Sequence, residues 1–233
     1  AREFVDSGWS IKHLHRLIVS SNTYRQQSVY NEAWQATANK VDPENRLLWR
    51  QRLRRIEAEP LRDAMLSVSG RLDDQLYGRP INPPRLVEDG SKRLYSGPVD
   101  GHGRRSLYLT MSIMDPPKFL TTFDLPDLKL PSGRRNVTNV PAQALLMMND
   151  PFVHQMADAW SARLVLESDT DVASRVARMF LRAFGRNATN EELQQWTDFA
   201  AQLQTGTPIL TDSQVWKGMA HTMFNSPEFI YIR

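Results

Sequence analysis

Apolar positions recur at helical spacing over most of this chain, and the densest recurrence runs from Arg134 to Phe152. Pro141 lacks an amide N–H and fixes its own φ, which suits the first turn of a helix. Thr138 or Asn139 stands where a side chain can cap the free amides ahead of it. Ala142, Ala144, Leu145, Leu146, Met147 and Met148 follow, apolar on nearly every side, so the pattern predicts a buried core helix. Asn149 reads as a left-handed stop. Asp150-Pro151 then starts a second helix, in which Phe152, Val153, Met156, Ala159, Trp160 and Leu164 repeat with interleaved polar residues; this one is expected to lie half on the surface.

Three more helices follow. Asp171 to Phe184 is amphipathic through Val172, Val176, Met179, Phe180 and Ala183, and ends at Gly185. Thr189-Asn190-Glu191-Glu192 fits a capping box and opens a helix carrying Leu193, Trp196, Phe199, Ala200 and Leu203. Thr211-Asp212-Ser213 opens the next, with Trp216, Met219, Ala220, Met223 and Phe224 inside, and Ser226-Pro227-Glu228-Phe229 makes a last turn.

The first half is more broken. Trp9 to Tyr24 reads as a helix capped by Ser10, with Ile11, Leu14, Leu17 and Ile18 inward. Ser20 to Lys40 is polar and mostly irregular, with room for a short helix around Trp34. Asp42-Pro43-Glu44 signals a helix start, and the periodicity runs on to Leu66, with Pro60 as a kink or split. From Gly78 to Gly103 repeated Pro and Gly predict a long loop. Arg104 to Met111 alternates as a strand, which needs a partner, and Pro116 to Phe123 is a short helix. The fold class is therefore mainly α, a multi-helix globular domain with one small β element near 105–111 and a long loop near 78–103. It reads as a single domain over 1–233, with a possible division into 1–133 and 134–233.

Composition adds bounds. At 233 residues, 41% hydrophobic and 24% charged, the chain has ample length for a core. No apolar run approaches a membrane span. The opening Ala1-Arg2-Glu3-Phe4-Val5 looks like mid-helix, so the chain reads as the later part of a longer protein. Zero cysteines exclude disulfides, thiolate metal sites, Cys nucleophiles and Cys-x-x-Cys-His haem attachment within it. A net charge of +3 is too small to argue for nucleic acid; only clustering does that.

The best chemical constellation is Asp124 and Asp127, three apart, shortly before Arg134 and Arg135. Two such carboxylates suit a hard cation or acid–base work; structurally, Asp–Arg pairs tying a loop to the first core helix serve as well. Arg134, Arg135, Asn136 and Thr138 form the binding candidate at the head of that segment. Arg46, Arg50 and Arg54 rise along one line of the expected helix, and Arg55, Glu59 and Arg62 along another. Pairs at such spacing ordinarily decorate a solvated face, contributing roughly 0.2–0.5 kcal/mol each. The alternatives are a buried polar network or a basic groove for an anionic polymer. His13 and His15, two apart on a helix, face different ways and cannot share a metal.

Several ordered segments together carry a resemblance. They include Gly8-Trp9-Ser10-Ile11-Lys12-His13, Asp42-Pro43-Glu44-Asn45-Arg46-Leu47-Leu48-Trp49 and Arg54-Arg55-Ile56-Glu57-Ala58-Glu59. Arg134-Arg135-Asn136-Val137-Thr138, Pro141-Ala142-Gln143-Ala144-Leu145 and Asn225-Ser226-Pro227-Glu228-Phe229 continue them. The chain resembles the C-terminal domain of unknown function, numbered 1553, of large planctomycete proteins, and the likeness covers nearly its whole length. The resemblance implies a periplasmic, cell-envelope or exported bacterial protein whose upstream modules often include a cytochrome c, so that any haem lies outside this chain and no cofactor is expected within it. It implies upstream domains of the same protein as partners, with polysaccharide or a redox partner as further ones, and it transfers no catalytic residue.

These readings converge on a non-catalytic scaffold or docking module near electron transfer or polysaccharide handling. The alternative is a glycan hydrolase using Asp124, Asp127 or Glu59 with His13 or His15, which needs its carboxylates in one cleft about 5–10 Å apart. A basic groove through Arg46, Arg50 and Arg54 is the third reading. It predicts salt-sensitive binding, and nucleic acid is disfavoured for want of stacking aromatics other than Trp49.

Overall fold

The computed structural model describes residues 1–28 and 32–232, so 29–31, within the polar stretch expected to be irregular, lie outside it. Two compact units emerge: residues 1–54 with 231–233, and residues 55–230. The division thus falls after Arg54, and both sides of residue 133 belong to one unit.

The first unit contains α1 (Arg2–Asp6), α2 (Ile11–Val19) and α3 (Glu32–Val41). Ser10 caps α2 by accepting from the His13 amide, as its position predicts. The apolar face of α2 is not inward: Ile11, Leu17 and Ile18 are exposed. Trp34 does sit in a short helix, α3.

The helix expected from Asp42 does not form. The Asp42 carboxylate accepts from the amides of Arg46 and Leu47, and the Asn45 amide group bonds the Arg50 backbone through both its ends. These local side-chain bonds outcompete the helical ladder. Asn45 and Leu48 adopt φ near +54° and +55°, which breaks any helix there. The arginine line of 46, 50 and 54 therefore does not exist as a helix face. The helix starts instead at α4 (Ala58–Ser69), with Pro60 in its first turn, where it causes no kink, and Gly70 closing it at φ +77°.

The second unit holds α4, α5 (Lys118–Thr122), α6 (Pro141–Asn149), α7 (Pro151–Val165), α8 (Val172–Phe184), α9 (Asn190–Leu203), α10 (Ser213–Asn225) and α11 (Pro227–Ile230). Its centre is α7 against α10, flanked by α4. Phe152, Val153, Met156, Ala157, Trp160 and Leu164 of α7 meet Val215, Trp216, Met219, Ala220, Met223 and Phe224 of α10 in one apolar cluster. This reverses the expected roles of the central pair. The helix read as half-surface, α7, is the core, whereas α6 exposes Leu145 (59%) and Met148 (55%) and buries only Gln143 and Met147. The start of α6 also differs, for Val140 is its cap residue and no side chain caps it; Asn149 stays helical and the extended Asp150 ends α6 and caps α7.

Local signals hold in the C-terminal helices. Asp171 caps α8, which Gly185 ends at φ +69°; Thr189 and Glu192 form the complete capping box of α9; Asp212 caps α10.

The expected strand at 105–111 is absent. Ser106–Tyr108 is a 3-10 turn with Leu107 exposed, and only single bridges join Arg104 to Asp73 and Leu109 to Ile81, the latter inside the preceding loop. The small β element is instead β1 (Arg54–Arg55) with β2 (Tyr231–Ile232), a two-stranded sheet. The long segment 78–103 is non-repetitive, as read, but pinned. Buried Arg62 donates to the carbonyls of Asp100 (2.7 Å) and Arg104 (2.9 Å), Arg71 pairs with Asp100 (2.5 Å), Arg104 donates to the Tyr77 carbonyl (2.6 Å), and Arg85 pairs with Asp115. The buried Ser106 hydroxyl donates to Asp63 at 2.7 Å. Asp63 and the guanidiniums thus act as a network under the loop, not as a solvated helix face.

Candidate functional site

The charged residues singled out in the sequence do meet, at the N-terminus of α4, but with other partners than their spacing suggested. Arg55 precedes α4, and its side chain is 3% exposed. One guanidinium nitrogen, Nη2, donates to Asp124 Oδ2 at 2.5 Å and to the Phe123 carbonyl at 3.3 Å, while the cation lies 5.4 Å from the Phe123 ring. Asp124 sits just past α5 at φ +64°, a conformation that aspartate tolerates better than most residues. Its carboxylate also accepts from the Thr138 amide (2.8 Å) and hydroxyl (2.9 Å). Gln143 of α6, itself buried, donates to the Thr122 carbonyl and to Thr138 Oγ1. Thr138 is therefore a donor to the turn after α5 and not the cap of α6.

In the first turn of α4, Glu59 forms a two-pronged pair with Arg135, at 2.6 and 3.0 Å, and Glu57 lies 3.5 Å from the same guanidinium. The helix N-terminus favours carboxylates at this place. Burial pushes the Glu59 carboxyl up, and the Arg135 bond more than offsets it, leaving it below its ordinary range. For Asp124, burial likewise raises and Thr138 with Arg55 lower, the net again being down. Both groups are held ionised with their oxygens engaged, the opposite of what a general acid requires.

The other candidates lie elsewhere. Asp127 is exposed and accepts from the Lys129 amide in its own turn; Arg134 and Asn136 are exposed on the surface. His13 and His15 belong to α2 of the first unit, where His13 Nε2 lies 2.8 Å from Glu3. Arg46 and Arg54 are exposed, and Arg50 stacks at 5.1 Å on Trp49. Among the described residues no three His, Asp or Glu side chains are grouped to hold a metal ion, and no helix is long and apolar enough to cross a membrane.

Sequence reasoning missed Arg55 as the partner of Asp124, placing it on a helix line with Glu59. It also missed Gln143, a polar residue in an apolar run, which was itself the available signal. A third omission is the pair His154 and His221, stacked at 4.6 Å between α7 and α10. Burial, then the charge of His154, holds the His221 imidazole below its usual value against the pull of the Met147 and Met148 carbonyls.

Comparison with known proteins yields one assignment. Neither the curated proteins nor the solved structures give a match to this chain. The family described as PSD1, protein of unknown function (DUF1553), matches residues 1–200. With most of its length so matched, the chain belongs to that family, PSD1, whose function is unknown.

Proposed function

We propose that this chain is a non-catalytic scaffold or docking domain of an exported multidomain bacterial protein, set beside modules for electron transfer or polysaccharide handling. The observation that carries the reading is the state of its two best-placed carboxylates. Asp124 is taken up by Arg55 and both donors of Thr138, and Glu59 by both prongs of Arg135. A carboxylate so engaged ties chain segments together and is held ionised by its cationic partner, which disfavours the protonated form a general acid needs. The pairs join α4 to the turn after α5 and to the segment before α6, so they fix the geometry of a helical platform. The exported setting and the neighbouring modules rest on the family resemblance.

The test uses the purified chain and its Asp124→Asn and Glu59→Gln variants. Hydrolysis of neutral and sulfated glycans is followed by released reducing ends, alongside pull-down of the upstream domains of the same protein. The reading expects no turnover by any form and retention of the upstream domains by the wild type. Turnover by the wild type that vanishes in a variant still folded by circular dichroism would overturn it.

A further inference from the structure

We infer that the segment 42–53 of the first unit is a binding site for acidic saccharides. Its backbone is fixed from within. Asp42 and Asn45 are both buried, Asp42 holding the amides of Arg46 and Leu47 and Asn45 clasping the Arg50 backbone, and the Trp49 indole N–H donates to the Asp42 carbonyl at 3.1 Å. The outcome is an open cleft of about 600 Å³, the size of known small-ligand sites, lined by Pro43, Glu44, Asn45, Arg50, Arg52 and Leu53.

The lining states the chemistry of the occupant. Arg50 and Arg52 are two apart on non-helical chain, and both line this cleft. Arg52 is steadied by donating to the Glu44 carbonyl at 2.5 Å, and Arg50 by lying over Trp49 at 5.1 Å. The Arg50 guanidinium thus brings a second fixed cation to the cleft beside Arg52. Planar guanidiniums match carboxylate and sulfate groups two-pronged. The surroundings reinforce the attraction, since residues 1–54 carry nine Lys and Arg against five Asp and Glu.

Glu44 narrows the class. A bare anion would be repelled by its carboxylate, whereas a ligand that bears hydroxyls beside its anionic group gives Glu44 donors to accept. Pro43 and Leu53 supply apolar surface for the C–H face of a sugar ring. An acidic sugar meets all three demands. The inference is independent of the scaffold reading, because it involves no residue of the second unit.

Calorimetric titration and Trp49-sensitive fluorescence test it, with a galacturonate oligomer, a sulfated oligosaccharide, a neutral galactose oligomer and an oligoglutamate peptide as probes. The expected result is binding of at least one of the two acidic saccharides, at least tenfold tighter than the neutral oligomer and the peptide, weakening as salt rises. Arg52→Gln and Arg50→Gln should each lower that affinity about tenfold, Arg50→Lys less, and Lys129→Gln, at an exposed cation of the second unit, not at all. Arg52 is exposed, so its replacement leaves the fold intact and a loss there reads on binding. Equal binding of the neutral oligomer, tighter binding of the peptide, no binding of either acidic saccharide, or undiminished affinity in Arg52→Gln would each overturn the inference.

Discussion

Replacing Asp124 by Asn is the sharpest probe of how the second unit is held together. Arg55 is buried to 3% exposure, and Asp124, at 15%, is its counter-charge. Removing one member of a buried pair typically costs about 3–5 kcal/mol, because a charge is left uncompensated in a poorly solvated place. Two features reduce that figure. Asn keeps an oxygen for Arg55 and Thr138, and it tolerates the φ of +64° at this position. The expected loss is therefore about 2–3 kcal/mol, a fall of roughly 5–10 °C in the melting temperature of a unit this size. Arg55→Met should cost less, about 1–2 kcal/mol, since it removes the buried cation and leaves Asp124 with both Thr138 donors. The double variant should resemble Arg55→Met alone, giving a coupling as large as the Asp124→Asn loss itself, about 2–3 kcal/mol. Urea unfolding followed by far-ultraviolet dichroism and tryptophan fluorescence reads all four corners of the cycle. If Asp124→Asn proves milder than Arg55→Met, or the two losses simply add, the Arg55–Asp124 pair does not hold this unit together.

Other outcomes follow from the same structure. At Gly103 a Cβ would lie 2.0 Å from the Arg71 carbonyl oxygen, at φ +74°, so Gly103→Ala should cost at least about 2 kcal/mol by thermal melting. On α6, Leu145→Lys should change stability by no more than about 0.5 kcal/mol, whereas Met147→Ala, one turn-face away and buried, should cost about 2–5 kcal/mol. His221 has its folded pKa below the unfolded value of 6.5, so the unfolded chain binds more protons near pH 6. Its contribution is intact above about pH 6.5 and is lost as pH falls, and urea midpoints between pH 5 and 8 should show a flatter pH dependence in His221→Asn.

Much of the helical framework was legible because its signals are local. Ser10 and the Thr189–Glu192 box cap what they were expected to cap, Asp171 and Asp212 stand as caps at the helix starts the pattern placed there, and Gly185 ends its helix. A cap involves groups two or three residues apart, and so does the evidence for it. Ranking helices by depth failed for the complementary reason. The α6 run is more uniformly apolar than α7, yet depth is decided by what packs from outside, and α10 and α4 pack on α7. The periodicity read from Asp42 to Leu66 yields a helix only from Ala58; before it, the side chains of Asp42 and Asn45 bond backbone close by and win. Charge pairing was the least legible. Asp124 has arginines ten and eleven residues ahead, but its partner is Arg55, 69 residues back, and Arg135 reaches Glu59 across 76. Which guanidinium meets which carboxylate is a product of the tertiary fold, and only the presence of such pairs was readable.

The arginine staples beneath the loop also govern how the chain would yield to a protease that cuts after basic residues. Arg85 and Arg104 are sheltered near the two ends of the segment, Arg62 of α4 beneath it, while Lys92 and Arg93 near its middle are exposed, as are Leu86 and Val87. Trypsin under native conditions should therefore nick at 92–93 first. Both new ends would remain fastened, one through Arg85 and Tyr77, the other through Asp100 and Ser106, so the severed protein should still elute as a single particle and fall into two fragments only on denaturation.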